Sequence, residues 1–215
     1  MAEGPKLIKD LMGSGLEVHS IFTSELDTAI EHEVVSVTLI ELQKISFLKT
    51  PNTMLAVFHI PKESTPTQSG LSVALDAVRD PGNLGTIIRL CDWFGVKQLI
   101  CGWNTVDCYN PKVVQATMGS IARVSILYED LSEYIKKTNV PVFAAVMDGK
   151  SVYQSTLPKD AILVMGNEAN GISPELVSAI EHKLTIPHFG TSETAESLNV
   201  ATATAILLSE FRRNS

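Results

Sequence analysis

Leu71-Ser72-Val73-Ala74-Leu75-Asp76-Ala77-Val78-Arg79-Asp80-Pro81-Gly82-Asn83-Leu84-Gly85-Thr86-Ile87-Ile88-Arg89 is the stretch whose reading decides the fold. Its first eight residues form a short, nearly unbroken apolar run, as in a strand buried on both faces. A glycine- and proline-rich turn follows. Then Leu84, Ile87, Ile88 and Cys91 recur at helical spacing, which predicts a helix over Thr86–Phe94. A buried strand feeding a helix is the opening of a βαβ unit.

The pattern continues downstream. Strands are predicted at Val96–Cys101, Arg123–Tyr128, Val140–Met147, Ala161–Met165 and Lys183–Ile186. Helices are predicted near Pro111–Met118 and at Leu131–Lys137, Pro174–Ile180 and Leu198–Phe211. Apolar strands alternating with helices predict an α/β protein with a parallel sheet covered on both faces. In such sheets ligands bind beyond the carboxyl ends of the strands, so function is sought in the loops there.

Upstream, Pro61-Lys62-Glu63-Ser64-Thr65-Pro66-Thr67-Gln68-Ser69-Gly70 concentrates proline, glycine and small polar residues, the composition of a linker. Before it the chain alternates helix (Lys6–Met12), strands (Val18–Thr23, Val34–Val37), helix (Leu39–Ile45) and strand (Met54–Ile60). This is a small α/β module, marginal alone.

The 215 residues carry 45% hydrophobic and 19% charged residues, the composition of a globular protein. No apolar run reaches the ~18 residues of a membrane span, and the N-terminus has no secretory segment. A cytoplasmic protein without membrane contact is expected. Cys91, Cys101 and Cys108 lack paired ligand spacing and read as buried thiols, so no metal is expected. A net charge of −7 argues against a strongly basic nucleic-acid binder, but not against a local basic patch. Lys6, Lys9, Lys44, Lys49, Arg79, Lys112 and Arg123 are candidates for one.

Three loops are unusual. Asp80-Pro81-Gly82-Asn83-Leu84-Gly85 lies between strand and helix but lacks the GxGxxG of a dinucleotide site, and no carboxylate ends the next strand. That disfavours a nicotinamide-dependent dehydrogenase. Met165-Gly166-Asn167-Glu168-Ala169-Asn170-Gly171-Ile172-Ser173 follows a buried strand. Ser173-Pro174 is a plain helix start, but Gly-Asn-Glu at a strand end leaves a carboxylate poorly solvated unless partnered. Ile186-Pro187 leads through a polar loop to Ser197-Leu198-Asn199-Val200-Ala201, a small-residue helix start with Ser197 as the expected cap.

Asn83…Arg89, Gly166-Asn167-Glu168…Gly171 and Ile186-Pro187…Ser197-Leu198-Asn199-Val200, in this order, resemble the three motifs of the SpoU (TrmH) family of RNA ribose methyltransferases, in the SPOUT superfamily. The resemblance covers residues 70–213. The first 60 residues resemble the family's accessory RNA-binding domain, similar to ribosomal protein L30e, with Glu3-Gly4 and Lys44-Ile45-Ser46 in the expected places. It implies an accessory substrate-binding domain at 1–62, a linker at 63–70 and a SPOUT catalytic domain at 71–215.

It also implies a deep C-terminal trefoil knot, a homodimer with the last helix near the interface, and S-adenosylmethionine as cofactor. Met165, Gly166, Asn167, Gly171, Ile186, Pro187 and Leu198 are the cofactor-binding residues implied. Arg89, Asn83, Glu168, Ser197 and Asn199 are the catalytic set implied. Arginine stays protonated at neutral pH, so Arg89 is expected to hold the acceptor's phosphate or lower the hydroxyl's pKa rather than act as a simple base. The acceptor implied is a ribose 2′-hydroxyl of ribosomal RNA before transfer RNA. The alternative is a non-catalytic RNA-binding or assembly factor that keeps the fold. Two departures stand out: the loop His188–Glu196 is longer than is usual in the family, and Ala201 replaces a common serine.

Overall fold

The computed structural model describes residues 1–25, 30, 32–62, 69–190 and 197–213. A six-stranded sheet is built from β5 (Leu71–Leu75), β6 (Gln98–Gly102), β7 (Ser125–Glu129), β8 (Val142–Ser151), β9 (Ala161–Met165) and β10 (His182–Thr185). Its order is β10-β8-β9-β5-β6-β7 and every pairing is parallel. Successive strand residues alternate between two cores, as the period of two requires. On one face Leu71, Val73, Leu75, Leu99, Cys101, Leu163 and Met165 pack under α3 (Pro81–Trp93), α4 (Pro111–Thr117) and α7 (Val200–Arg212). On the other, Ala74, Ile100, Ile162 and Val164 meet α5 (Leu131–Lys137) and α6 (Pro174–Ala179). The expected parallel α/β sheet with helices on both faces is what the chain forms.

Two helix starts differ from expectation. α3 begins at Pro81, a turn and more before Thr86. Asp80 caps it by accepting from Asn83 N at 2.8 Å, and proline at the first helical position needs no N–H partner. Gly85 therefore lies inside the helix, where a Cβ would come within 2.4 Å of Ala116 Cβ on α4. This glycine sets how closely two helices approach. α7 begins at Val200 with Asn199, not Ser197, as its cap: Asn199 Oδ1 accepts from Ala201 N at 3.0 Å and Thr202 N at 3.2 Å.

β8 runs to Ser151, past the predicted Met147. Its pairing with β10 jumps from Ala144 opposite Lys183 to Lys150 opposite Leu184. The intervening residues are displaced from the ladder and join the site below.

The first 60 residues form a separate four-stranded sheet, order β1-β4-β2-β3, from β1 (Ala2–Glu3), β2 (Val18–Thr23), β3 (Val35–Ser36) and β4 (Met54–Phe58). Helices α1 (Pro5–Gly13) and α2 (Leu39–Ile45) complete it. Residues 63–68 of the expected linker lie outside the described residues. The two sheets are joined through α4: Ile8 and Leu11 share a core with Val114, and Gln115 Nε2 donates to Glu3 O at 2.9 Å. Arg123, one of the phosphate candidates, is instead committed to Asp92 (2.8 Å) and Asp10 (3.4 Å).

Candidate functional site

At the carboxyl ends of β8, β9 and β10 lies a cavity of about 630 Å³, within the usual range for a small-molecule site. Three segments far apart in sequence wall it: the displaced residues Ala145–Asp148 of β8, the loop Met165–Ile172 after β9, and the stretch from Leu184 to Phe189 with Ser197, Leu198, Val200, Ala203 and Leu207. Among the lining residues, Val146, Met165, Ile172, Leu184, Ile186 and Leu198 are apolar. Asp148 and Glu168 bring carboxylates and His188 an imidazole.

All seven expected cofactor-binding residues, Met165, Gly166, Asn167, Gly171, Ile186, Pro187 and Leu198, line this one cavity, as do Glu168 and Ser197. The lengthened loop beyond His188 is described only to Gly190; residues 191–196 lie outside the described residues.

The loop after β9 is held tightly. Asn167 and Gly171 exchange both backbone hydrogen bonds at 2.9 Å. A Cβ on Gly166 would stand 2.1 Å from Gly171 C and 2.2 Å from Ile172 N, so only glycine fits there. Gly171 has φ +68°, the left-handed region that glycine reaches without strain. Asn167 spends its side chain locally: Oδ1 accepts from Ala169 N (2.9 Å), and Nδ2 donates to Ala77 O (2.7 Å). Ala77 itself has φ +58°, a costly conformation for a residue with a Cβ. Asp76 Oδ2 accepts from Ser173 N at 2.7 Å. The cavity loop and the loop after β5 are therefore tied at two points.

A third tie is made by side chains from all three unusual segments. Asn83 Nδ2 donates to Glu168 Oε1 at 2.8 Å, and Asn199 Nδ2 donates to Asn83 Oδ1 at 2.9 Å. Glu168 is exposed, so its carboxylate is solvated rather than starved of water as the strand-end position suggested; it accepts from Asn83 at the mouth of the cavity. Glu168 makes no hydrogen bond or ion pair with Arg89 among the described residues. Arg89 is exposed on α3 and makes no hydrogen bond or ion pair among the described residues. It stands six residues beyond Asn83, ~9 Å along the helix.

Sequence reasoning missed Ala145–Asp148, Ala203 and Leu207 as cavity walls, and the Asn167–Ala77 clamp. The only signal for the first was Asp148-Gly149, a turn pair just past the predicted strand end at Met147. Among the described residues no helix is long and apolar enough to cross a membrane, and no group of three or more His, Cys, Asp or Glu is placed to hold a metal ion.

A parallel α/β sheet with an apolar-walled cavity and a carboxylate–amide chain at its mouth defines a protein with a small-molecule site at the sheet's carboxyl edge. Residues 70–209 match the SpoU rRNA Methylase family. The chain is 30% identical, over 98% of its length and 83% of the relative's, to 23S rRNA (guanosine(2553)-2'-O)-methyltransferase RlmP of Bacillus subtilis. A solved structure from Porphyromonas gingivalis, ascribed to the TrmH family of RNA methyltransferases, is 41% identical with a TM-score of 0.87, covering 99% of this chain and 89% of that one. An AdoMet-bound rRNA methyltransferase from Sinorhizobium meliloti is 31% identical with a TM-score of 0.83, covering 98% and 85%. The chain belongs to the SpoU rRNA methylase family.

Proposed function

We infer that this chain is an S-adenosylmethionine-dependent RNA methyltransferase that modifies a ribose 2′-hydroxyl, with ribosomal RNA the preferred acceptor. The observation that carries the reading is the union of the three segments around one cavity: Gly166, Ile186 and Leu198 wall it, while Glu168, Asn83 and Asn199 form a continuous chain at its mouth. That union favours catalysis over a non-catalytic assembly factor, which has no need of a carboxylate fixed beside a cofactor-sized cavity. The relative from Bacillus subtilis acts on a 23S rRNA 2′-hydroxyl and the one from Sinorhizobium meliloti binds AdoMet.

The residues present suit the cofactor. Apolar walls and backbone edges accept an adenine, Gly166 leaves room that a side chain would fill, and the carboxylates of Asp148 and Glu168 complement a positively charged sulfonium and amine. Bound there, the cofactor supplies an activated methyl group. The protein's task is then to orient a weak nucleophile and to manage its proton. Asn83, fixed on both sides, positions the acceptor side of the site. Glu168 presents an oriented carboxylate to it, and Ser197 adds a hydroxyl at the cavity rim. Arg89, exposed and uncommitted, takes a phosphate of the incoming RNA.

The finer architecture belongs to the same reading. The segment after β9 forms a deep trefoil knot around the cofactor, the small-residue face of α7 lies at a homodimer interface, and residues 1–62 are an L30e-like domain that holds RNA. Residues 71–215 are the catalytic domain, and the protein works in the cytoplasm. Arg89→Ala tests the assignment: methyl transfer from labelled cofactor to bulk ribosomal RNA is lost, while cofactor affinity by calorimetry stays within about threefold. Retained turnover refutes the role of Arg89. No transfer by the unaltered protein to ribosomal or transfer RNA refutes the function. Light scattering at twice 23.3 kDa tests the dimer.

A further inference from the structure

β9 and β5 end in register, and β6 runs one residue further. Met165 lies opposite Leu75 and Leu75 opposite Cys101. Two residues further along each strand direction come Asn167, Ala77 and Trp103. Asn167 and Ala77 are already joined by the 2.7 Å hydrogen bond that ties the cavity loop to the loop carrying Asn83. Trp103 is the next position along the same edge, two strand spacings or ~10 Å from β9.

Trp103 is 68% exposed. The loop that carries it is nevertheless fixed. Thr105 N donates to Gly102 O at 2.8 Å, closing a turn with Trp103 in it. Thr105 is buried and its hydroxyl donates to Leu75 O at 3.1 Å. Val106 N donates to Val78 O at 3.0 Å, and Tyr128 OH donates to Val106 O at 2.6 Å while accepting from Cys108 N at 2.8 Å. The largest side chain of a rigid loop stands in water beside the proposed acceptor site. Arg79 follows Val78 directly; it is exposed and makes no hydrogen bond or ion pair among the described residues. The edge thus offers an aromatic plane and a free cation on two loops bonded to each other.

An indole plane and an uncommitted guanidinium on two loops bonded to each other suit a nucleotide: the base stacks on the ring and the phosphate meets the cation. Resting on the function proposed above, we propose that Trp103 stacks an unpaired nucleobase within a few nucleotides of the methylated ribose, with Arg79 on the adjoining phosphate. The acceptor is therefore a single-stranded or looped RNA segment, because a regular A-form duplex keeps its base faces covered.

The chain has two tryptophans, so Trp93→Phe leaves Trp103 as the sole indole emitter and Trp103→Phe leaves Trp93. Titration with an unstructured oligoribonucleotide quenches Trp103 emission but not Trp93 emission, and a blunt RNA duplex of equal length quenches Trp103 much less. With ribosomal RNA as substrate, Trp103→Ala raises KM for RNA about tenfold or more, the loss of one base stack, while Trp103→Phe stays within about threefold. Cofactor affinity is unchanged in both. Equal quenching by duplex overturns the single-stranded acceptor. An unquenched Trp103, or a Trp103→Ala KM matching the unaltered protein's, overturns the stacking role and leaves the methyltransferase reading standing. An unaltered protein that methylates no RNA, yet binds the oligonucleotide with Trp103 quenched, overturns the methyltransferase reading instead.

Discussion

Gly166→Ala offers the sharpest test of the cavity. The added Cβ would meet Gly171 C at 2.1 Å, Ile172 N at 2.2 Å and Gly171 O at 2.5 Å. All three are backbone atoms, so no side-chain rotation relieves the clash. Ordinary contact begins near 3.4 Å, so the loop must retreat by about 1.3 Å. The paired Asn167–Gly171 hydrogen bonds, now 2.9 Å each, do not survive such a shift with good geometry. Each is worth ~0.5–1.5 kcal/mol net, and overpacking a tight site adds ~1–3 kcal/mol. If only ~2 kcal/mol of this falls on the ligand-binding conformation, affinity for S-adenosylmethionine drops about thirtyfold. Calorimetric titration of the folded variant, with circular dichroism to establish folding, reads the effect. A folded Gly166→Ala protein whose Kd matches the parent's within twofold refutes the claim that this loop walls the cofactor site.

Other outcomes follow from contacts away from the cavity. Arg123→Ala severs the bridge from α3 to the first module; both its ion pairs are more than a quarter exposed, so the cost is ~0.5–1 kcal/mol and thermal melting falls by ~2–3 °C, with an unchanged Tm refuting the bridge. The three cysteines are buried, and burial pushes Cys108 up to about 11 and raises Cys91 and Cys101 well above the ordinary thiol range. Thiolate is the reactive form, so a thiol reagent at pH 8 labels the native protein slowly and the unfolded protein promptly. Prompt labelling of native protein contradicts the packing of these residues.

Much of the fold was legible because a parallel sheet writes itself as apolar runs between helices, and β2, α2, α5 and β9 fall where periodicity puts them. The misplaced boundaries have different causes. The α3 start was hidden by two glycines that weaken any helical prediction, although Asp80-Pro81 carried the cap. Gly85 is explained by Ala116, 31 residues on, and by the carbonyl of Val113 beside it. The displaced stretch of β8 exists because β10 re-pairs with it, a tertiary event with no local signature. At the site, residue types in the three motifs were readable but their partners were not: Asn83 bonds residues 85 and 116 positions away. Arg89 is exposed on α3, off the stripe of Leu84, Ile87, Ile88 and Cys91, which is where a phosphate-holding cation has to stand.

The direction of the carboxylate–amide chain is itself determined by the fold. Asn199 caps α7, so its Oδ1 is engaged by Ala201 N and Thr202 N and only its amide hydrogens can face Asn83. Asn83 must then turn its oxygen to Asn199 and its amide to Glu168, which receives a hydrogen bond and stays an acceptor. A helix cap thus sets the polarity of a site two segments away. Asn199→Asp separates the two duties. Its carboxylate still caps α7, and negative charge there is favourable, so Tm stays within about 2 °C. It cannot donate, however, and Asn83 must turn its amide toward it, pointing an oxygen at Glu168 in place of a donor. Losing a hydrogen bond to a charged group costs ~1.5–3 kcal/mol, which predicts at least a tenfold fall in methyl transfer from a fully folded protein. Full activity in folded Asn199→Asp would show that the polarity of this chain has no part in the reaction.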